Sequence, residues 1–274
     1  MRIAVLSDIH GNLAALEAVL GHAGREQVDG YVVIGDVVIG APDSALCWAR
    51  VAGLGCPVVR GNHEGYLAAF GTEAAPAAFS TPQFAPVAWA AGKFDDETRR
   101  MLGALPLSVA LPEVPGVRFV HASLRSDRDG IDAYTSEQEL DAMFLDLAEP
   151  CVIRGHNHLA ATRLWGERVI YTTGSVGVPL DGVTKAQYAV LEPRAGGWSP
   201  IFYTVPYDVE ATLKRFHDTG YLEEAGPMAH LFYREVATAA HHFFPFLLGY
   251  ERYSEGGTLG LEAAVRNFCR FGSP

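Results

Sequence analysis

The sequence predicts an α/β protein in which short strands alternate with helices and the strand ends carry metal-binding side chains. Three observations lead to this prediction. Short apolar runs, such as residues 3–6 and 31–34, are separated by segments with helical periodicity, which is the pattern of a sheet covered by helices. From Val117 onward short β runs follow one another, which favours a second sheet packed on the first. Histidine, aspartate and asparagine recur where the runs end, and these ligands suit divalent metals.

The first unit is predicted to be a strand, a loop and a helix. Gly11 and Asn12 supply a turn and a helix cap, and the helix that follows has one apolar face. The apolar positions of that face are Leu13, Leu16, Val19, Leu20 and Ala23. The chain then returns to a strand at residues 31–34. The same alternation continues with a helix at residues 45–52 and a strand at Val58.

The second half of the chain is predicted to be mostly β, and two segments fall outside the alternation. The predicted strands are residues 117–120, 152–153, 168–172, 187–191 and 201–205. Residues 66–104 are rich in Ala, Pro and aromatic residues and predict a helical insertion beside the loop that precedes them. Residues 207–274 predict a C-terminal helical appendage with two helices and the aromatic run 241–246. The main domain is therefore expected to span residues 1–206.

Composition and charge narrow the class of protein. The chain has 274 residues, of which 49% are hydrophobic, and 21 basic against 32 acidic residues give a net charge of −11. This is enough apolar surface for one core. The sequence has no run of Lys or Arg, so binding to long nucleic acid is not expected. No apolar run reaches the ~18 residues of a membrane span, and Asp8 and His10 interrupt the first run before the length of a secretory signal. The four cysteines are dispersed, so a reducing cytoplasm is the expected location.

Five short polar blocks follow the predicted strands. They are Asp8 and His10, Asp36, Asn62 and His63, His121, and His156 and His158. Loops at one edge of a sheet could bring all of them together. Each block alone has a simpler interpretation as a turn at the end of a strand, a β-turn or a buried histidine. Their joint occurrence at strand ends favours a site for two metals.

Such a site suits the hydrolysis of phosphate esters. Two metals ~4 Å apart lower the pKa of a shared water toward ~7 and hold the phosphoryl group during an in-line displacement. A carboxylate has two oxygens and a negative charge to hold two cations near each other, so Asp36 is the candidate bridge. Asp8 and His10 are separated by one residue, which on an extended segment places both on the same side, and His156 and His158 have the same spacing.

The block at residues 61–64 adds two further functions to the site. A neutral Asn62 ligand keeps the summed negative charge low enough for a dianionic substrate to enter. His63 then remains as a spare imidazole that can protonate the leaving oxygen or stabilise developing charge. Hydrolysis by a hydroxide shared between the metals, with His63 assisting the leaving group, is the mechanism that we expect.

The order of the blocks resembles the calcineurin-like metallophosphoesterase superfamily, whose signature runs Asp-x-His, Gly-Asp, Gly-Asn-His-Glu or Asp, His, and Gly-His-x-His. The resemblance covers residues 1–205 and implies a four-layer sandwich of two mixed β-sheets flanked by helices, with the metal site at the strand ends. It implies two divalent ions, of which manganese is the first expectation and iron, zinc, nickel and cobalt are alternatives. It also implies that Asp8, His10 and His158 hold one metal, that Asn62, His121 and His156 hold the other, that Asp36 bridges them, and that His63 is the catalytic non-ligand.

Residues 35–43 and 174–179 resemble a small bacterial branch of that superfamily, which is related to diadenosine tetraphosphatases and broad phosphodiesterases. The expected activity is therefore metal-dependent hydrolysis of a small phosphodiester or nucleotide. Ile39 and Gly40 occupy the stretch where the protein Ser/Thr phosphatase branch has a phosphate-binding Arg, which argues against that activity.

Two other functions stay open. A dinucleoside polyphosphate hydrolase would need basic residues for its extra phosphates, and few lie near the motifs. A non-catalytic scaffold protein of the same fold usually has replaced ligands, whereas here every ligand position is filled. Arg125 and Ser175 are candidate substrate contacts, although an ion pair and a Gly-Ser turn explain them equally well. The aromatic residues of the insertion could stack on a base or form their own core, and the C-terminal region could support a homo-oligomer.

Overall fold

The computed structural model describes residues 1–271, which form two β-sheets with helices on their outer faces. The strands are β1 (Ile3–Leu6), β2 (Gly30–Val33), β3 (Ser108–Ala110), β4 (Val117–Val120), β5 (Cys151–Arg154), β6 (Ala160–Trp165), β7 (Arg168–Thr173), β8 (Ala186–Arg194) and β9 (Gly197–Val205). The helices are α1 (Leu13–Arg25), α2 (Ser44–Ala52), α3 (Asn62–Ala69), α4 (Ala85–Ala91), α5 (Asp96–Gly103), α6 (Glu137–Met143), α7 (Val209–Asp218), α8 (Tyr221–Glu224), α9 (Ala229–Thr238), α10 (Phe243–Leu248), α11 (Tyr250–Tyr253) and α12 (Leu261–Phe271). Within the described residues, no helix combines the length and apolar character needed to cross a membrane.

Each sheet combines strands from both halves of the chain. The first has the order β2-β1-β8-β9, with β1 parallel to β2 and antiparallel to β8. The second has the order β3-β4-β5-β7-β6, with β4, β5 and β7 parallel. The expectation that all β runs after Val117 build the second sheet is therefore wrong for residues 187–191 and 201–205. These strands extend the first sheet, where Ile3 pairs with Leu191.

Strand periodicity explains the layers. Ile3 and Val5 of β1 face Phe119 and Ile153 of the second sheet and form a core between the sheets. The alternate residues of β1, such as Leu6, pack under α1 in a second core. On the outer face of the second sheet, α6 contributes to a third core with strand residues of β4, β5 and β7. The arrangement of helix, sheet, sheet and helix confirms the predicted four-layer sandwich.

The structure differs from the predicted elements in detail. Val58 forms only an isolated parallel bridge with Val33, and β6 was not predicted from its pattern. The segment 66–104 contains the second half of α3, two short 3-10 turns, α4 and α5. The appendage contains six helices rather than two, and residues 272–274 lie outside the described part of the chain.

The appendage packs on the loops that carry the polar blocks. α7, α8 and α9 form a core with Ala41 and Val178, which lie in loops that follow β2 and β7. α10 and α12 pack in turn on α9 around the fully buried Phe246 and Phe268. The appendage is therefore positioned over the same edge of the sheets as the predicted metal ligands.

Candidate dinuclear metal centre

The predicted ligands converge where the parallel strands β1, β2, β4 and β5 end, because the carboxyl ends of parallel strands meet at one edge of each sheet. Their backbone is unusual there. Positive φ angles between 48° and 70° occur at Asp8, His10, Asp36, His156 and His158. Residues other than glycine adopt this left-handed region rarely, and such strain concentrates at functional sites. The chain thus turns sharply after β1, β2 and β5.

The first group of ligand atoms comes from Asp8, His10 and His158. The Nε2 atoms of His10 and His158 are 3.0 Å apart. Asp8 Oδ1 lies 3.4 Å from His158 Nε2 and 3.8 Å from His10 Nε2. All three side chains lie within reach of a single ion.

The second group centres on His121. Its Nε2 atom lies 3.2 Å from Asn62 Oδ1, 3.2 Å from His156 Nδ1 and 3.3 Å from Asp36 Oδ2. Asp36 Oδ2 is also 3.7 Å from His10 Nε2, so this carboxylate lies between the two groups. His156 and His158 belong to different groups. The expectation that their spacing puts both on one side is therefore wrong. Asp8 and His10 do share a group although their backbone is left-handed too, so the spacing alone does not decide which ion a residue faces.

Backbone carbonyls set the tautomer of three of these histidines. The Nδ1 contacts are His10 to Ile39 O at 2.7 Å, His158 to Val178 O at 2.7 Å and His121 to Ile34 O at 2.8 Å. A carbonyl oxygen can only accept, so each Nδ1 carries a hydrogen and donates it. The Nε2 atoms are left with lone pairs directed at the centre. Metal-bound histidines in proteins are oriented in this way.

The short distance between the rings of His10 and His158 indicates that a cation fits between them. In their neutral forms, His10 and His158 direct two Nε2 lone pairs at each other across 3.0 Å, which is repulsive. A proton or a metal ion between the two atoms removes the repulsion. A metal also satisfies Asp8, whose carboxylate lies beside the pair. The donor set of imidazole, carboxylate and amide therefore fits the divalent metals that its chemistry predicts.

The charge states of His10, His156 and Asp36 agree with ligation. Burial lowers the pKa of His10 to about 3 and that of His156 to about 4, so both rings are neutral at pH 7. Burial disfavours the charged form of Asp36, but the neighbouring charges of His121 and His63 outweigh it and hold the pKa of Asp36 well below its usual range. Neutral imidazole and ionised carboxylate are the forms that bind metals.

Comparison with known proteins identifies the family. The model of the calcineurin-like phosphoesterase superfamily domain matches residues 1–196. The chain belongs to this superfamily. It is a hydrolase of the phosphoesterase class, and the resemblance noted in the sequence is confirmed. Members of this superfamily depend on two metal ions, which agrees with the two groups of candidate ligands.

Three relatives illustrate the similarity. An uncharacterized protein of Methanocaldococcus jannaschii is 27% identical over 209 residues, which cover 70% of this chain and 83% of the relative. A crystal structure of a metallophosphoesterase from Sphaerobacter thermophilus is 26% identical with a TM-score of 0.70, covering 88% of this chain and 100% of that one. A hypothetical protein from Pyrococcus horikoshii OT3 shares the fold at 20% identity, with a TM-score of 0.67 and coverage of 83% of this chain and 97% of that one.

His63 occupies a distinct position in this phosphoesterase. Its backbone N–H donates to Asp36 Oδ1 at 2.9 Å, and its Nε2 atom lies 4.0 Å from Asp36 Oδ2. Its ring stands edge-on to His10 with centroids 4.6 Å apart, and its buried Nδ1 has no hydrogen-bond partner among the described residues. Burial lowers the pKa of His63. His63 thus forms a third group of possible metal ligands with His10 and Asp36, in which its Nε2 contact with Asp36 is the longer one.

Glu64 is a supporting residue that the ligand pattern did not reveal. Its carboxylate is fully buried and accepts hydrogen bonds from four backbone N–H groups. The donors are Asp36 at 2.9 Å, Val37 at 2.8 Å, Val38 at 3.3 Å and Gly61 at 2.8 Å. Glu64 thereby ties the loop that carries Asp36 to the start of α3. Only glycine fits at position 61, since a Cβ there would collide with the Asp36 side chain.

Arg154 supports the opposite side of the centre. Its side chain is fully buried and donates to Ala122 O at 2.8 Å, to Asp129 O at 2.8 Å and to Asn157 Oδ1 at 2.6 Å. Asn157 lies between the two histidines of the last block. The arginine therefore fixes the loop that presents both of them and has no exposed surface for a substrate.

The two predicted substrate contacts have other partners in the structure. Ser175 is fully buried, and its hydroxyl donates to Asp8 O at 2.7 Å and accepts from Val178 N at 2.8 Å. Arg125 is ion-paired with Asp129 at 2.8 Å. Arg128, which the sequence did not single out, lies over the ring of Tyr66 at 4.8 Å. Contacts of Ser175 and Arg125 with a substrate remain predictions, and both side chains have a structural role without one.

A cavity of about 510 Å³ opens over the metal centre. The insertion and the appendage form its walls, while His63 and five of the ligand candidates lie on its floor: His10, Asp36, Asn62, His156 and His158. The wall residues include Tyr66, Gln83, Phe84, Pro86 and Val87 from the insertion and Met228, Phe232, Glu235, His241, Phe243, Phe244 and Leu247 from the appendage. The appendage is thus part of the site, a role that its own sequence pattern did not indicate.

Proposed function

We propose that this phosphoesterase hydrolyses a small phosphorylated substrate, a phosphodiester or nucleotide, with the help of two divalent metals. The observation that carries the proposal is the pairing of Nε2 atoms in the centre. His10 and His158 approach to 3.0 Å with both Nδ1 atoms bonded to carbonyls, and Asp36 lies between this pair and His121. Two bound cations would remove the repulsion between the lone pairs that face each other in this site.

The roles of the ligand candidates follow from the two groups of atoms. Bound metals would supply positive charge for the phosphoryl oxygens and lower the pKa of water. Asp36 would bridge the ions because its carboxylate is near both groups. We assign Asp8, His10 and His158 to one ion and Asn62, His121 and His156 to the other.

His63 is proposed to assist the leaving oxygen, by donating a proton to it or by stabilising its developing charge. It faces the cavity, and 16% of its side chain is exposed, whereas His121 is 1% exposed. Its position beside Asp36 brings the ring next to the point where a phosphoryl group would bind. General acid catalysis of this kind contributes about 10²- to 10⁴-fold to rate.

The cavity lining favours one phosphoryl group over a chain of them. Among residues 1–271, the lining contains no lysine or arginine. Additional phosphates of a dinucleoside polyphosphate would therefore lack positive partners in the cavity, which makes this the weaker alternative. The non-catalytic alternative is also weaker, since every ligand candidate and His63 are present. Manganese is the metal that we propose, and the four free cysteines are compatible with the cytoplasm as the proposed location.

The test compares His63→Asn with the wild-type protein after loading with Mn²⁺. The variant should bind as much metal, measured by plasma mass spectrometry, and should hydrolyse bis-p-nitrophenyl phosphate about 10²- to 10⁴-fold more slowly. His217→Asn, which changes an exposed histidine of α7, is the matched control and should keep full activity. Equal turnover by His63→Asn and wild type would refute the assigned role.

A further inference from the structure

The cavity has two chemically different ends. Its floor carries four imidazoles and the Asp36 carboxylate of the metal centre, while most of its wall residues are apolar. Five of these wall residues are aromatic: Tyr66, Phe84, Phe232, Phe243 and Phe244. Binding cavities of about 300–1,000 Å³ hold a small organic ligand, so 510 Å³ has room for an organic group beside a phosphoryl group.

The insertion wall is held rigidly from behind. Phe84 stacks on Phe79 with ring centroids 4.7 Å apart, and both rings meet the edge or face of Tyr66. Tyr66 lies 5.5 Å from the ring of His63. The aromatic residues of the insertion therefore form a small core of their own and also present Tyr66 and Phe84 to the cavity next to the metal centre.

The appendage wall is built around α10. The buried Glu235 carboxylate accepts from the N–H groups of His242 at 2.9 Å and Phe243 at 2.8 Å, which fixes the start of the helix. Phe246 anchors the same helix in the core of the appendage. The neighbouring side chain of Phe244 points to the cavity and is 61% exposed. A rigid helix thus holds a large apolar ring uncovered at the mouth of the site.

The charges of the cavity lining limit which substrates can bind against the Phe244 ring. In the described part of the chain, Glu235 is the charged residue that the appendage contributes to the cavity, and no lining side chain is a lysine or arginine. Substrates with several phosphates or with an acidic organic group would find no lysine or arginine in this lining; Arg128 lies over Tyr66 but is not part of it. Flat aromatic rings, in contrast, gain both burial and stacking against aromatic side chains.

We infer that the site takes esters of a single phosphoryl group that carry a flat aromatic ring of the nucleobase kind, and that Phe244 packs on this ring. The inference rests on the proposed function and names its substrate class. Phe244 belongs to the segment that follows the matched family domain, which ends at residue 196. It is therefore a specificity residue of the appendage rather than part of the metal centre.

The experiment varies only the group that is retained on phosphorus. Mn²⁺-loaded wild type and Phe244→Ala are assayed with three trifluoroethyl diesters, whose leaving group has no ring and whose second group is thymidine, methyl or octyl; release of trifluoroethanol is followed by fluorine NMR. The wild type should prefer the thymidine ester, and Phe244→Ala should lower kcat/KM for this ester by about 5- to 150-fold, the range expected for one lost base stack. Hydrolysis of the methyl ester should change little.

A matched control lies on the same helix. Leu248 is 76% exposed at the end of α10 and is absent from the cavity lining among the described residues, so Leu248→Ala should behave as wild type with all three esters. Product inhibition gives a second readout. Thymidine monophosphate should inhibit the wild type more strongly than inorganic phosphate does, and Phe244→Ala should remove most of this difference.

The remaining outcomes separate the two proposals. Metal-dependent hydrolysis of all three esters at equal rates, unaffected by Phe244→Ala, would overturn the inference and leave the proposed function standing. A preference for the octyl ester that is lost in Phe244→Ala would show that an aliphatic chain packs on Phe244. This result would also overturn the inference. Absence of metal-dependent hydrolysis of every ester would overturn both.

Discussion

Replacing Glu64 by Gln should destabilise the protein far more than a conservative substitution usually does. The carboxylate is fully buried, and each of its oxygens accepts from two backbone N–H groups. An amide of the same shape keeps one of these oxygens. Its NH₂ group replaces the other oxygen and faces two backbone N–H donors. An NH₂ group cannot accept these bonds, so two of the four hydrogen bonds are lost.

The magnitude follows from those two bonds. Burial raises the pKa of Glu64 to about 7, so the measurement belongs at a higher pH, where the carboxylate is ionised. Hydrogen bonds to a charged group contribute about 1.5–3 kcal/mol each, and buried donors left without an acceptor cost a similar amount. Glu64→Gln should therefore lower the free energy of unfolding by about 3 kcal/mol or more. This is a large part of the 5–15 kcal/mol that is typical of folded proteins. Metal affinity should fall as well, because the Asp36 loop loses its connection to α3.

Urea denaturation in EDTA measures this prediction, since metal binding then makes no contribution. Glu139→Gln is the control, because Glu139 accepts from the N–H of Ser136 at 2.8 Å in a similar position at the start of α6 but is exposed to water. Its effect should stay below about 0.5 kcal/mol, as is usual for surface substitutions. Equal unfolding midpoints for the two variants would refute the assigned role of Glu64.

Two further predictions concern the ligand loops. Burial lowers the pKa of His121, but Asp36 outweighs it and raises that pKa to about 9. Below pH 9 a metal must therefore displace a proton from His121, so the metal affinity should fall as the pH is lowered. Calorimetry in buffers of different ionisation enthalpy should detect the released proton. Metal binding without proton release at pH 7 would contradict this prediction. Ser175→Ala should cost about 2 kcal/mol of stability in urea, because it leaves Val178 N without its acceptor and removes the bond to Asp8 O. A cost below about 0.5 kcal/mol would show that the hydroxyl does not position the loop.

The ligand blocks could be predicted because they follow apolar strands, and strand periodicity is visible in one sequence. The partners of the strands could not. β8 pairs with β1 from a distant part of the chain, and alternation along β8 does not indicate which strand it joins. β6 was missed because most of it is exposed, with Leu164 at 71%, so it lacks the alternation of a half-buried strand.

The supporting residues show a second limit. Glu64 belongs to the recognised Gly-Asn-His-Glu block, yet only the structure gives it four backbone donors. The walls of the cavity were missed for a related reason. Apolar residues on a helix have the same periodicity whether they face a core or a cavity, so Phe244 and Phe246 look alike in the sequence. In the structure one is 61% exposed and the other is fully buried.

The most direct test of the two-metal account is an anomalous difference map from a crystal of the Mn²⁺-loaded protein. We predict two peaks on either side of the Asp36 carboxylate. One should lie among Asp8, His10 and His158, and the other among Asn62, His121 and His156. A single peak, or peaks away from these side chains, would contradict the account.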